Sequence, residues 1–185
     1  MIRLCNMIAE DMIEPFLYLT QGLLWGGLAI IVLTVISGLW YLMKKQILFS
    51  PIQIICMGIF VSYLYTVLQQ TYYSRPPGSR HSVSLILGET WKNDIRSKSY
   101  IIENVMMMIP FGILLPMVLK PAECFFCCVP MGFCFSVCIE YAQFLSQRGY
   151  MQVDDVVANV SGTILGYFLF LLIRYFCNIW GSYRK

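Results

Sequence analysis

Glu140, Gln143 and Gln147 recur at i, i+3 and i+7, and Asp155, Asn159, Gly162 and Gly166 at i, i+4, i+7 and i+11. On an α-helix each spacing keeps its set on one face. Arg148 and Asp154 stand between the two sets, and Arg75, Arg80 and Asn104 lie upstream. These residue types suit two kinds of chemistry. Glu140 can act as a general base, with Asp154 or Asp155 orienting it or holding a divalent cation through oxygen ligands. Arg75, Arg80 and Arg148 can grip a phosphate or carboxylate, because a guanidinium binds either in bidentate fashion. A structural use competes with both: a clamp in which Arg148 and Arg80 neutralise Glu140 and Asp154 and fasten two loops. Fastening two loops does not need so many groups.

The elements that must position these residues are apolar. Of 185 residues, 58% belong to the set AVILMFWYC and 12% are charged. A soluble domain carries about 25% charged residues. A soluble core of this length cannot hide so much apolar surface. Disorder, a nucleic-acid-binding domain and a secreted disulfide scaffold are excluded on the same grounds. Charged residues are missing between Glu14 and Lys44, Lys45 and Arg75, Glu103 and Lys120, Glu123 and Glu140, and Asp155 and Arg174. The first two gaps each exceed the roughly 20 residues a spanning helix needs. The fourth span is expected to continue through Glu140 to about Gln147, and the fifth to about Cys177. Continuous apolar runs lack the alternation of a membrane barrel. The expected fold is an all-α integral membrane protein, a bundle of about five transmembrane helices. It forms a single membrane domain over residues 1–185, with an N-terminal helix pair at about 15–74 and a polar region at about 70–175. The segment before the first span is net acidic, unlike a signal peptide, so that span is expected to be retained.

Two crossings separate the loop after the second span from Ser146 to Asp154, so both loops are expected on one membrane face. Asn104 is expected to start the third helix there, Glu140 and Gln143 to approach it at the end of the fourth, and Asp154, Asp155 and Asn159 to begin the fifth. Intramembrane polar groups gathered at one depth mark a functional site, because burying them is costly. The Gly162 and Gly166 pair permits close helix approach. It is expected to pack against the fourth helix, leaving a polar pocket with Arg148 and the long loop above it. With the N-terminus outside, the inner side holds six Lys and Arg and the outer side seven, five of them in the Arg75 to Lys98 loop. Setting that loop aside, the positive-inside rule favours N-terminus outside and C-terminus inside.

Other templates find little support. His81 is the one histidine, whereas a membrane phosphatase of the two-histidine type needs a pair. Phosphate loops, nucleophile elbows and His-Glu-x-x-His helices do not occur. Cys124, Cys127 and Cys128 have half-site spacing, but Cys134 and Cys138 lie deeper in an apolar helix, so small apolar side chains are the expected reading. Met106 to Met108 are expected to be filler, and Trp25, Trp40, Tyr41, Trp91 and Trp180 need no binding role, several standing where interfacial anchors are expected. Pro110 and Pro116 are expected to bend the third helix.

The order Asn104, Ile109-Pro110-Phe111-Gly112, Glu140-x-x-Gln143, Arg148, Asp154-Asp155-x-x-x-Asn159-x-x-Gly162-x-x-x-Gly166-Tyr167 resembles the VanZ-like membrane protein family. Thr71-Tyr72-Tyr73-Ser74-Arg75 is similar to that family's stretch at the end of the second helix. Arg80 followed by Ser84-Leu85 is similar to its Arg-plus-Asn-Leu-x-Pro-Phe stretch, with Ser84 in place of Asn and Leu87-Gly88 in place of Pro-Phe. The resemblance covers about residues 70–175. It implies a bacterial plasma-membrane protein of the cell envelope, in a family named for low-level resistance to the glycopeptide teicoplanin. The expected function is recognition or handling of an anionic lipid or lipid-linked cell-wall precursor at an outward-facing pocket. Its expected ligand-binding residues are Arg75, Arg80, Asn104, Glu140, Gln143, Arg148, Asp154, Asp155 and Asn159. The alternatives are a membrane-embedded enzyme using Glu140 with Asp154 or Asp155, and a lipid or solute transporter. No cofactor and no nucleic acid are expected, although the carboxylates could hold a divalent cation.

Overall fold

In hydrocarbon a backbone finds no water to bond, so apolar runs of this length close their hydrogen bonds as helices. The computed structural model describes residues 2–78, 80–92 and 95–183, with the side chains of residues 2, 80, 81, 91, 92 and 178–183 outside the described set. Its helices are α1 (Ile2–Asp11), α2 (Ile13–Lys44), α3 (Pro51–Leu68), α4 (Glu89–Lys92), α5 (Ile95–Val118), α6 (Phe125–Leu145) and α7 (Val153–Tyr183). A π-helical turn, Gln69–Tyr73, extends α3, and a 3₁₀ turn, Lys120–Glu123, links α5 to α6. Five stretches are long and apolar enough to cross a membrane: Arg3–Lys44, Pro51–Tyr73, Ile95–Val118, Phe125–Leu145 and Val153–Cys177. The chain is nearly all-α and is a multi-pass membrane protein.

Local signals set the reversal between α2 and α3. Lys45 takes a left-handed conformation (φ 56°) that ends α2, its N–H donating to the Tyr41 carbonyl. Ser50 and Gln53 form a reciprocal capping box that satisfies both their amides, with Pro51, which has no N–H, in the first turn of α3. The outward faces of the bundle are apolar, with Leu24, Leu42, Phe168 and Leu172 among the exposed side chains. That is the pattern of helices solvated by lipid rather than by water.

Inside, Val67, Met108, Phe111, Leu115, Tyr167 and Phe170 form the packed centre. Phe111 stacks on Phe135 with ring centroids 4.9 Å apart, and the Tyr63 hydroxyl donates to the Met107 carbonyl at 3.0 Å. At the far end of the bundle the Tyr167 hydroxyl donates to the Glu123 carbonyl and Arg174 pairs with Glu123, both at 2.7 Å.

Two expectations are corrected. The Gly162 and Gly166 face packs against α5, the third span, and not against the fourth. A Cβ on Gly162 would run into the Val105 carbonyl, and one on Gly166 into that of Ile109. The reason lies on α5, where Gly112 leaves a matching groove: its own Cβ would strike the Thr163 carbonyl. The second correction concerns Asn104, which does not start its helix. α5 begins at Ile95, nine residues earlier, so Asn104 lies about 13 Å along the axis at 1.5 Å per residue. Arg96 and Lys98 do not end the helix, because long basic side chains reach water from a helix end. The two loops expected on one face also pair with each other. β1 (Arg80–Ser84) and β2 (Arg148–Gln152) pair in parallel, in a register running from Arg80 with Arg148 to Ser84 with Gln152. This pairing joins both loops at one end of the bundle.

Candidate functional site

A cavity of about 250 Å³ lies at that end, between the last turns of α3 and α6 and the first turns of α5 and α7. Six expected residues line it: Arg75, Asn104, Glu140, Gln143, Asp155 and Asn159. Helix register explains their meeting. Glu140 and Gln143 share a face of α6 within its last two turns, and Asp155 and Asn159 share a face of α7 within its first two. They converge because both helices end at the same membrane face.

The polar groups here are tightly held. Asn159 is 1% exposed, Gln143 3% and Glu140 4%. Gln143 Nε2 donates to the Thr71 carbonyl at 2.6 Å, and Asn159 Nδ2 donates to Ser136 Oγ at 2.9 Å. The Asn104 side chain faces Asp155 across the cavity, close enough to favour its charged form. Glu140 Oε2 accepts from the Gln152 amide at 3.3 Å, which ties the carboxyl group to β2. Arg75 lies within electrostatic reach of both Glu140 and Asp155. Gly149 makes room for it: a Cβ there would sit 3.2 Å from Arg75 Nη1 and 3.0 Å from Gln143 Oε1. Asp155 Oδ1 and Asn159 Oδ1 are buried without a hydrogen-bond partner.

Two expected residues do not line the cavity, and the Arg148 part of the clamp drawn from the sequence is not formed. Arg148 meets neither Glu140 nor Asp154. Its Nη1 donates to the Tyr72 carbonyl at 3.0 Å and the Arg75 carbonyl at 2.8 Å, and its guanidinium lies 4.7 Å from the Tyr72 ring centroid. Tyr72 lies in the π turn and Arg75 two residues beyond it, so Arg148 fastens the end of α3 through its backbone. Asp154 accepts from the Gly88 amide at 2.7 Å and the Thr90 amide at 2.8 Å, so it fastens the loop before α5 through backbone. The side chain of Arg80 lies outside the described residues; its backbone pairs with Arg148 in the strand register.

The sequence reading missed Tyr100, Glu103 and Gln152 in the lining. The signal was available: Ser97, Tyr100, Asn104 and Met107 all line the cavity and recur at i, i+3, i+7 and i+10, a helical stripe. Glu103 borders the first helix as well. Its Oε1 is buried without a partner, beside the ion pair of Arg96 Nη1 with Asp11 Oδ2 at 2.7 Å. That ion pair docks α1 on α5 at the cavity wall. α1 turns Leu4, Met7, Ile8 and Asp11 inward at i, i+3, i+4 and i+7 while Arg3, Asn6 and Glu10 stay exposed. Among the described residues, no group of three or more His, Cys, Asp and Glu is placed to hold a metal ion.

Chemically, the cavity offers carboxyl and amide oxygens with one described guanidinium, at the ends of four of the membrane-spanning stretches. A family model described as VanZ/LLP1 matches residues 52–174, a segment that contains every residue of the cavity lining. No curated protein and no solved structure matches the chain.

Proposed function

Because the chain belongs to the VanZ/LLP1 family, we propose that it recognises or handles the polar head group of a lipid or lipid-linked cell-wall precursor. The observation that carries this reading is the cavity itself: a partly open space at the helix ends, lined by carboxyl, amide and guanidinium groups. Its volume is just under the roughly 300–1,000 Å³ usual for small-molecule sites. Arg75 is the group suited to the anionic part of such a ligand, as a guanidinium binds phosphate or carboxylate through paired N–H donors. Arg148, engaged with two carbonyls, is withdrawn from the gripping set and given the task of holding Arg75's backbone.

The cavity is assigned to the outer face of a bacterial plasma membrane. The charge count outside the long loop supports that orientation, and α1 packs at the same end as the cavity. Handling of a wall precursor there would link the protein to glycopeptide (teicoplanin) tolerance. Native mass spectrometry of the purified chain tests the reading. Wild type should retain a lipid or lipid-linked adduct that Glu140→Gln loses at equal yield. An adduct retained unchanged by Glu140→Gln and by Arg75→Gln would remove the cavity from the function.

One observation favours a second reading. Glu140 and Asp155 face one cavity within electrostatic reach of each other, as a general base and the group that orients it would. Turnover of lipid-linked substrates by purified protein, lost in Glu140→Gln, would establish an enzyme.

A further inference from the structure

β2 starts at Arg148, just past the end of α6 at Leu145, and passes without a loop into α7 at Val153. Its last residue, Gln152, donates its amide to Glu140 Oε2 at 3.3 Å. Glu140 lies five residues inside the end of α6, about 7–8 Å along the axis by helical rise. The strand therefore runs from the helix end toward the bundle. β1 runs parallel to it, and the last residue of β1, Ser84, is the register partner of Gln152. The chain that leaves β1 is Leu85-Ile86-Leu87, whose residues are 68%, 65% and 66% exposed. It ends at Gly88, whose amide donates to Asp154 in the first turn of α7. Both ends of this apolar tip are thus tied to the spanning stretches Phe125–Leu145 and Val153–Cys177. Runs of three exposed apolar residues are avoided at a water-facing surface unless they serve a purpose, and none of these three lines the cavity.

The backbone around the tip is arranged for the same place. Non-helical chain is tolerated at membrane depth where protein satisfies its polar groups. Here Gly88 and Thr90 donate their amides to Asp154 at 2.7 and 2.8 Å, and the Glu89 amide returns to the Ile86 carbonyl at 3.4 Å. The Ser84 hydroxyl donates to the Glu89 carboxylate and closes the base of the tip. Gly88 reverses the chain at φ 80°, a conformation that favours glycine. The lipid-facing surface continues beside it, with Val157 exposed one turn into α7 from Asp154 and Ile95 exposed at the start of α5. A tip in water would hold apolar side chains outward while its amides turned inward, whereas a tip in hydrocarbon accounts for both. We propose that Leu85–Leu87 is a re-entrant tip, its side chains inserted among the lipid acyl chains of the leaflet on the cavity's side. Thr90 and Gln152, close to its two ends, line the cavity, so the tip holds that wall of the cavity against the leaflet. The inference holds whatever the cavity binds.

Spin labelling of the full chain in vesicles of phosphatidylcholine and phosphatidylglycerol tests the tip. Ser82→Cys, Ile86→Cys and Phe168→Cys are each labelled in a background cleared of the eight native cysteines. Collision rates are then measured with oxygen, which concentrates in hydrocarbon, and with a nickel chelate, which stays in water. Ser82 is exposed on β1 before the tip, and Phe168 is exposed on the lipid-facing side of α7. The oxygen-to-nickel ratio at position 86 should approach that at 168 and exceed that at 82 several-fold. A ratio at 86 equal to that at 82 would put the tip in water and overturn the proposal. Collision with neither reagent would bury the tip against protein, such as a second copy of the chain, and overturn it as well. If the cysteine-free chain does not reconstitute, Ile86→Trp in the otherwise native chain decides. The fluorescence it adds should be quenched by lipid brominated on the upper acyl chain and spared by aqueous iodide, and the reverse pattern would overturn the proposal.

Discussion

Two neighbouring acids, Asp154 and Asp155, do different work, and the difference comes from what each oxygen meets. Both oxygens of Asp154 are occupied by backbone amides of the loop before α5. Asp155 turns into the cavity with Oδ1 unpartnered. The spacing in the sequence marks Asp155 and Asn159 as one face, but does not say that the adjacent acid points to a loop. Replacing Asp154 by Ala should therefore cost stability, about 2–3 kcal/mol for a charge-accepting group shared by two amides, read as a lower unfolding midpoint in detergent. Glu140→Gln should leave the midpoint near that of wild type or raise it, because an amide is cheaper to bury than a carboxylate, while removing ligand retention. Arg148 shows the same limit of sequence reading. Its type signals an anion partner, yet its Nη1 serves two carbonyls, and a backbone carbonyl leaves no trace in a residue pattern.

At the scale of elements, the glycine spacing on α7 correctly marks a close-packed face but cannot name the helix that meets it. The partner contributes Gly112 and the carbonyls of Val105 and Ile109, and a backbone groove is invisible in composition. Gly112→Ala should be strongly disruptive, since its Cβ collides with the Thr163 carbonyl and also comes within 2.8 Å of the Tyr167 amide. Overpacking of this kind costs about 1–3 kcal/mol, and here the obstacle is backbone rather than a side chain that can rotate away. Gly38→Ala on α2 supplies the contrast. Nothing lies within 4 Å of the added Cβ, and a helical Gly-to-Ala change favours the helix by up to about 1 kcal/mol. Unfolding in detergent should place the two variants on opposite sides of wild type. The start of α5 was illegible for a related reason: charges at Arg96 and Lys98 read as loop, whereas at an interface they extend from the helix into water.

For the whole molecule, counting crossings was enough to put the loops around Arg80 and Arg148 on one face. It was not enough to pair them. Neither Arg-His-Ser-Val-Ser nor Arg-Gly-Tyr-Met-Gln alternates or is rich in strand-forming residues, so their parallel pairing arises from the helices that bring them together. The pairing gives a direct test of membrane orientation. Ser82 and Tyr150 are register partners in adjacent strands, and both are exposed. Neighbouring strands lie about 4.8 Å apart, within the roughly 4.4–6.8 Å Cα separation a disulfide tolerates. In a background cleared of the eight native cysteines, Ser82→Cys and Tyr150→Cys should each react with a membrane-impermeant maleimide on intact cells. Together they should form a disulfide under mild oxidation, seen as a mobility shift reversed by reductant. Labelling of either cysteine only after lysis would place the cavity on the cytoplasmic side and remove extracellular precursors from its possible ligands. Labelling on intact cells without the disulfide would keep the orientation and contradict the strand register. The two readouts separate where the cavity faces from how its roof is built, and a head-group ligand needs the first while the position of Glu140 against Gln152 needs the second.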